Sequence, residues 1–189
     1  MKILHLDTTH PFLGKELEKI GFTNYYDFKT IKSDLKISDF FGIIIRSRIS
    51  IDKNFIDKCK NLKFIARIGS GIENIDVDYA KQKGIQIIST PEGNSNAVGE
   101  HALGMLLSIL NNINSSNSEV KKGIWNRESN RGIELNNKTI GLIGYGNTGK
   151  SFAKKLIGFD VNTIYYDIKK IEKDNYANPV SLNHLKDNS

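Results

Sequence analysis

The feature that most constrains this chain is the segment Thr139-Ile-Gly-Leu-Ile-Gly-Tyr-Gly-Asn-Thr-Gly149. Residues 139–143 are an apolar, β-branched run of strand type. The next six residues follow G-x-G-x-x-G. Residues 148–157 then carry Phe152, Ala153 and Leu156 at helical spacing,. A second apolar run, 161–166, ends in Asp167, 18 positions after Gly149. Glycine is common, so the six-residue pattern alone is a weak signal. A strand before it, a helix after it and an acid at the end of the next strand make it the pattern of a dinucleotide-binding turn.

Each position has a physical role in that reading. Gly144 permits the tight turn, Gly146 lets a pyrophosphate approach the backbone, and Gly149 lets helix and strand pack closely. The free N–H groups of Asn147 and Thr148 open the helix, where its positive dipole end favours phosphate. Asp167 accepts hydrogen bonds from the adenosine ribose hydroxyls. Its charge repels a 2′-phosphate, so NAD is expected over NADP, and Lys169 and Lys170 behind it soften that preference. A second reading of the same residues stays open. Gly144-Tyr-Gly-Asn-Thr-Gly-Lys-Ser151 also fits the P-loop pattern, with Lys150 on phosphate and Ser151 on magnesium. Gly146 and Asp167 are explained by the first reading and not by the second.

The preceding residues set this unit in context. Residues 2–7, 23–28, 41–46, 62–67 and 85–89 are expected as strands. Helices are expected at 11–20, 30–38, 52–59 and 76–83, with Gly21 and Gly84 as stop signals. The continuous apolar run at 41–46 suits a strand buried on both faces of a parallel sheet. Strands alternating with helices predict an open parallel sheet covered on both sides, a flavodoxin-like α/β fold. Ligands of such sheets lie beyond the carboxyl ends of the strands. Arg46-Ser-Arg48, Gly69-Ser-Gly71 and Glu92-Gly-Asn-Ser-Asn96 fall there.

A long helix is expected at 96–112, its apolar face marked by Val98, Ala102, Met105, Leu106, Ile109 and Leu110, with Gly99 and Gly104 allowing close packing. A polar tract follows at 111–118, then 119–125, and 126–137 reads as a polar loop. The tail from 168 is polar, with a helix start at Ser181-Leu-Asn-His-Leu185. Two domains are expected, 1–93 and 94–189.

Composition removes other classes. No apolar run approaches the ~18 residues a membrane helix needs, and residues 1–7 lack the features of a signal peptide. The single Cys59 precludes an internal disulfide and a cysteine-rich metal site, so no metal is expected and a reducing cytoplasm is favoured,. Its helical setting reads as a buried structural thiol. The net charge of +6 comes from lysines scattered among acids, which is a solvated surface and not a nucleic-acid face,.

The chain resembles the D-isomer-specific 2-hydroxyacid dehydrogenases. The resemblance is carried by Ile44-Ile-Arg-Ser47, Ile65-Ala-Arg-Ile-Gly-Ser-Gly-Ile-Glu-Asn-Ile-Asp76, Lys83-Gly-Ile85, Ser89-Thr-Pro-Glu-Gly-Asn-Ser95, Gly99-Glu100, Gly123-Ile-Trp125 and Glu134-Leu-Asn-Asn-Lys-Thr-Ile-Gly141, in the family's order. It implies a substrate domain followed by the first part of a Rossmann NAD-binding domain, with a cleft between them. Arg46 would pair with a substrate carboxylate or phosphate, assisted by Arg67. The N–H groups of Gly69, Ser70 and Gly71 would hold the substrate carboxylate, Ser70 would also approach the nicotinamide, and Asn94 would line the cleft. Arg48 departs from the common pattern and reads as a solvated charge.

The implied reaction is hydride transfer from a D-2-hydroxy acid to NAD, with 3-phosphoglycerate the expected substrate and a homodimer the expected full-length assembly. The family's catalytic histidine, its carboxylate partner and its arginine match nothing here. His5, His10, His101 and His184 lie outside any such motif. With only two strands visible in the cofactor domain against the usual six, the chain reads as a truncated piece with little turnover of its own. A non-catalytic NAD-binding module, like the corepressors that share this fold, is the alternative.

Overall fold

The computed structural model describes residues 1–28, 36–172 and 174–189. The chain divides into two compact units, Met1–Pro91 and Glu92–Ser189. The expected helix at 30–38 lies mostly outside the described residues, and its end is a 3-10 turn at Ile37–Asp39.

The first unit runs β1 (Lys2–His5), α1 (Pro11–Lys19), β2 (Thr23–Tyr26), β3 (Gly42–Ile45), α2 (Lys53–Lys58), β4 (Phe64–Arg67), α3 (Val77–Gln82) and β5 (Gln86–Ser89). All strand pairs are parallel, in the order β2-β1-β3-β4-β5. That is the flavodoxin-like order, in which the chain reverses direction across the sheet between β1 and β3. One register row, Leu4, Ile43, Ile65 and Ile87, crosses four strands. Leu4, Ile43 and Ile65 are fully buried, and Phe55, Ile56 and Ala80 of the helices cover the same core. Every residue of β3 is buried, as its unbroken apolar run requires.

The ends of these elements follow from side-chain chemistry. Asp52 accepts from Phe55 N at 2.8 Å and Asp76 from Tyr79 N at 3.1 Å, so both acids are caps and their helices start one residue later,. β1 stops at His5, short of the expected residue 7, because Asp7 leaves the ladder to receive the Arg46 N–H. Cys59 is buried and donates to the Phe55 carbonyl at 3.3 Å; burial pushes its thiol up to about 12.

The second unit runs α4 (Ser95–Leu110), α5 (Ile113–Lys121), β6 (Thr139–Ile143), α6 (Asn147–Leu156), β7 (Asn162–Tyr166), β8 (Asn178–Pro179) and α7 (Leu182–Asn188). The polar tract after α4 is helical from Ile113. Asn112, at φ 51°, makes the break between the two helices, and the Ser115 and Ser116 hydroxyls donate to the Asn112 and Ile113 carbonyls. Gly99 packs directly on α6: a methyl group there would lie 3.1 Å from Phe152 N. Gly104 faces open space, so it makes no close contact in this chain. Val98, Met105 and Ile109 of the expected apolar face are exposed.

The sheet has three parallel strands, β6-β7-β8, and not the expected two. β8 is only Asn178–Pro179, too short and too poor in strand formers to leave a period-2 signal,. Described residues of the tail beyond 168 thereby join this unit. Ala177 and Leu185 are buried, and Ser181 caps α7 by accepting from His184 N at 3.2 Å. Among the described residues no helix is long and apolar enough to cross a membrane.

Candidate functional site

In the first unit the candidate residues sit at the carboxyl ends of β3 and β4. Arg46 follows β3 and is exposed. Its N–H donates to Asp7 Oδ2 at 3.0 Å, and its carbonyl accepts from Asn74 Nδ2 at 3.0 Å. Its main chain is therefore pinned on both sides while its guanidinium stays in solvent. Arg48, expected as a solvated charge, is partly exposed yet tied down. Its Nε lies 3.3 Å from Asp7 Oδ1, and its Nη2 donates to the Leu6 carbonyl at 2.6 Å. Asp7 is the reason, since its carboxylate at the end of β1 draws in both the Arg46 amide and the Arg48 guanidinium.

Arg67 ends β4 and folds back over Gly69. A methyl group at Gly69 would overlap the Arg67 guanidinium, and Gly69 also stands at φ +138°, so only glycine fits,. Arg67 Nε is buried without a protein acceptor. The Gly69 N–H is already used: it donates to Thr90 Oγ1 at 3.1 Å, and the Thr90 N–H returns to the Gly69 carbonyl at 2.9 Å. Of the three amides expected to hold a carboxylate, those of Ser70 and Gly71 have no protein partner among the described residues, and that of Gly69 is bonded to Thr90. The Glu73 carboxyl leans over Gly71. One buried donor and two unspent amides around one turn suit an anion, against which the Glu73 carboxyl stands at Gly71,.

In the second unit Asn94 is the exposed N-cap residue of α4, and its side chain makes no capping bond. The glycine turn joins β6 to α6. Gly144 stands at φ +92°, where a side chain is strained, and Gly146 faces open space. Gly149 packs so closely on the turn that a methyl group would overlap the Gly144 carbonyl oxygen. No side chain caps α6, and no protein group accepts from the exposed Asn147 and Thr148 amides. Asp167 follows β7. Its Oδ2 accepts from Tyr145 N at 2.7 Å and its Oδ1 from Lys169 N at 2.8 Å. These two backbone donors hold its carboxyl below the usual carboxylate range,. Each oxygen keeps a further lone pair for a ligand hydroxyl.

Beneath the turn lies a residue that pattern reading passed over. Tyr145 is fully buried, stacks on Tyr165 with centroids 3.8 Å apart, and donates its hydroxyl to Asp174 Oδ1 at 2.9 Å. Burial and the neighbouring Asp174 carboxylate raise its pKa. Asp174 also accepts from Tyr176 N at 2.9 Å and lies 3.8 Å from Lys150 Nζ. This arrangement decides against the P-loop reading. α6 has already begun at Asn147, Lys150 turns toward Asp174 and the Tyr145 ring, and Ser151 packs toward Gly99 of α4. Neither side chain is placed to serve phosphate and magnesium at the turn.

Sequence reading also missed Asp7, Asn74 and Thr90. Their signal was available in principle, because each is a small polar residue at a strand or loop end, where side chains bond to main chain. Among the described residues no histidine hydrogen-bonds to a carboxylate. His5 is buried against Asn24, and His10 accepts from Phe12 N at the start of α1.

Comparison with known proteins bears on the whole arrangement. Residues 3–178 match the catalytic-domain profile of the D-isomer specific 2-hydroxyacid dehydrogenases. The chain belongs to that family. A D-3-phosphoglycerate dehydrogenase of Methanocaldococcus jannaschii is 36% identical over 168 residues, which is 88% of this chain and 32% of that protein. A hydroxypyruvate reductase of Thermotoga maritima is 39% identical over 143 residues, 76% of this chain and 47% of that protein. The chain thus spans about a third of the length of the first relative and just under half of the second. The crystal structure of a D-lactate dehydrogenase from Aquifex aeolicus, complexed with NAD and lactic acid, matches with a TM-score of 0.84 at 25% identity. It is covered to 58%, and this chain is covered entirely.

Proposed function

We propose that the protein is an NAD-dependent oxidoreductase acting on the CH–OH group of a D-2-hydroxy acid, with 3-phosphoglycerate as substrate. The observation that carries the cofactor assignment is the open mouth of α6. Two unspent amides, a Gly146 with free space above it and an ionised Asp167 at the end of the next strand converge there. Asn147 and Thr148 hold the pyrophosphate, and Asp167 binds the ribose hydroxyls and disfavours a 2′-phosphate. When bound, NAD supplies the hydride acceptor.

In this reading residues 1–93 form the substrate domain and 94–189 the NAD-binding domain. Ser70 and Gly71 amides orient the substrate carboxylate, Ser70 is also a cofactor-binding residue, Arg46 takes the second anionic group with help from Arg67, and Asn94 is a further substrate-binding residue. The phosphoglycerate dehydrogenase relatives support this substrate, which belongs to serine biosynthesis. The buried single thiol supports a reducing cytoplasm, and the exposed apolar residues of α4 support a homodimer.

The test is calorimetric titration of the chain with NAD, NADP and 3-phosphoglycerate. Binding of NAD at least tenfold tighter than NADP supports the cofactor assignment. No NAD binding, or equal binding of both, overturns it. A non-catalytic NAD-binding module is the second reading. NAD binding with no response to any 2-hydroxy acid selects it.

A further inference from the structure

The main chain of Arg46 is gripped by two side chains from other parts of the first unit. Asp7 accepts its N–H, and Asn74 donates to its carbonyl. Asn74 spends its whole amide nitrogen on this loop, with Nδ2 3.0 Å from the Arg46 carbonyl oxygen and 2.7 Å from that of Ile49. Its main chain adds to the tie. The Ile51 N–H donates to the Asn74 carbonyl at 2.8 Å, and the Asp76 N–H to that of Ile51 at 2.9 Å.

The chemistry of this contact selects an amide. Two carbonyl oxygens face one nitrogen, so the nitrogen needs two hydrogens and no negative charge. Asn74 Oδ1 is buried and has no donor, so the two carbonyls alone fix which way the amide points. Asn74 also lies three residues after Gly71, in the loop that begins with the unspent Ser70 and Gly71 amides. It therefore links the two places where anionic groups are expected to bind.

We infer that Asn74 is a positioning residue for Arg46. It fixes the spacing between the Arg46 main chain, from which the guanidinium reaches, and the Ser70–Gly71 amides, and so favours a ligand of matching length whose two ends are both anionic. The inference rests on the reading of Arg46 as a substrate residue. A ligand with one anionic end is indifferent to that spacing.

The experiment compares Asn74→Asp and Asn74→Ser with the unmodified chain. Asn74→Asp keeps the shape and sets an anionic oxygen against two carbonyls. Asn74→Ser removes the amide without adding charge, and it stands in if the first variant folds poorly. Two readouts are used: exchange of the Arg46 and Ile51 amides, and affinity for 3-phosphoglycerate against glycolate, which has one anionic end. The expected result is exchange about tenfold faster at both amides and a loss of about tenfold for 3-phosphoglycerate, with glycolate unchanged. Unchanged exchange, or an equal loss for both ligands, overturns the inference; the second outcome marks general damage to the fold. If the unmodified chain binds neither ligand, the substrate reading of Arg46 fails, and the exchange readout alone decides whether Asn74 holds that residue.

Discussion

Tyr145 and Asp167 meet across the glycine turn, the backbone N–H of one donating to the carboxylate of the other at 2.7 Å. The carboxylate proposed to receive ribose hydroxyls is thus bonded to the turn proposed to receive pyrophosphate. Asp167→Asn keeps an acceptor for Tyr145 N and removes the charge. It is expected to weaken NAD by on the order of tenfold and to narrow the gap to NADP. Titration with the two dinucleotides measures this, and an unchanged preference would show that Asp167 takes no part in the choice.

The three glycines of the turn differ in what they tolerate. Gly149→Ala drives a methyl group into the Gly144 carbonyl oxygen, which is backbone and cannot step aside. A loss of about 1–3 kcal/mol in stability is expected, together with loss of NAD binding. Gly146 has open space around it. Gly146→Ala should unfold at nearly the same temperature as the unmodified chain yet bind NAD weakly, because the methyl group occupies the phosphate's approach. Thermal melts with and without NAD separate the two cases. Equal melting of both variants would contradict this assignment.

His5 makes the first unit sensitive to acid. It is buried, with Nε2 2.9 Å from Asn24 Oδ1 and its ring 4.6 Å from that of Tyr26. Burial outweighs the Asn24 hydrogen bond and lowers its pKa from 6.5. Below pH 6.5 the unfolded chain therefore binds a proton that the folded chain resists. This contribution to stability is complete above pH 6.5 and is lost as pH falls through the folded-state pKa. Urea unfolding between pH 8 and 5 is expected to show a falling midpoint below 6.5, and His5→Gln should flatten that fall. A midpoint that drops equally in both proteins would remove His5 as the cause.

Arg46 and Arg48 are two residues apart and should behave oppositely. Arg46→Ala leaves the main-chain bonds to Asp7 and Asn74 intact, so stability should change by less than about 0.5 kcal/mol while affinity for 3-phosphoglycerate falls. Arg48→Ala removes the cation from Asp7 and a donor from the Leu6 carbonyl. Its melting temperature should fall more than that of Arg46→Ala. The reverse order in paired melts would show that Arg48 is the freer side chain.

The parts of the molecule that were legible in sequence are those where one residue type has one use. The unbroken Ile43–Ile45 run suits a doubly buried strand, and Gly144 and Gly149 sit where any side chain is strained or has no room. Illegible parts depend on partners far along the chain. Arg48 looked solvent-bound because its partner, Asp7, lies 41 positions earlier. Gly69, expected as a donor to substrate, gives its N–H to Thr90, 21 positions later. β8 escaped because two residues, one of them proline, carry no periodicity and gain strand character only by lying against β7.

Tyr145 has a consequence for affinity. Its ring stacks on Tyr165 and its hydroxyl bonds Asp174, so the glycine turn is moored from below by a side chain that never meets the ligand. Glycine-rich segments lose more conformational freedom on ordering than any other. Here that loss is incurred when the second unit folds and not when a dinucleotide arrives, so the free energy of phosphate contact goes into affinity undiminished.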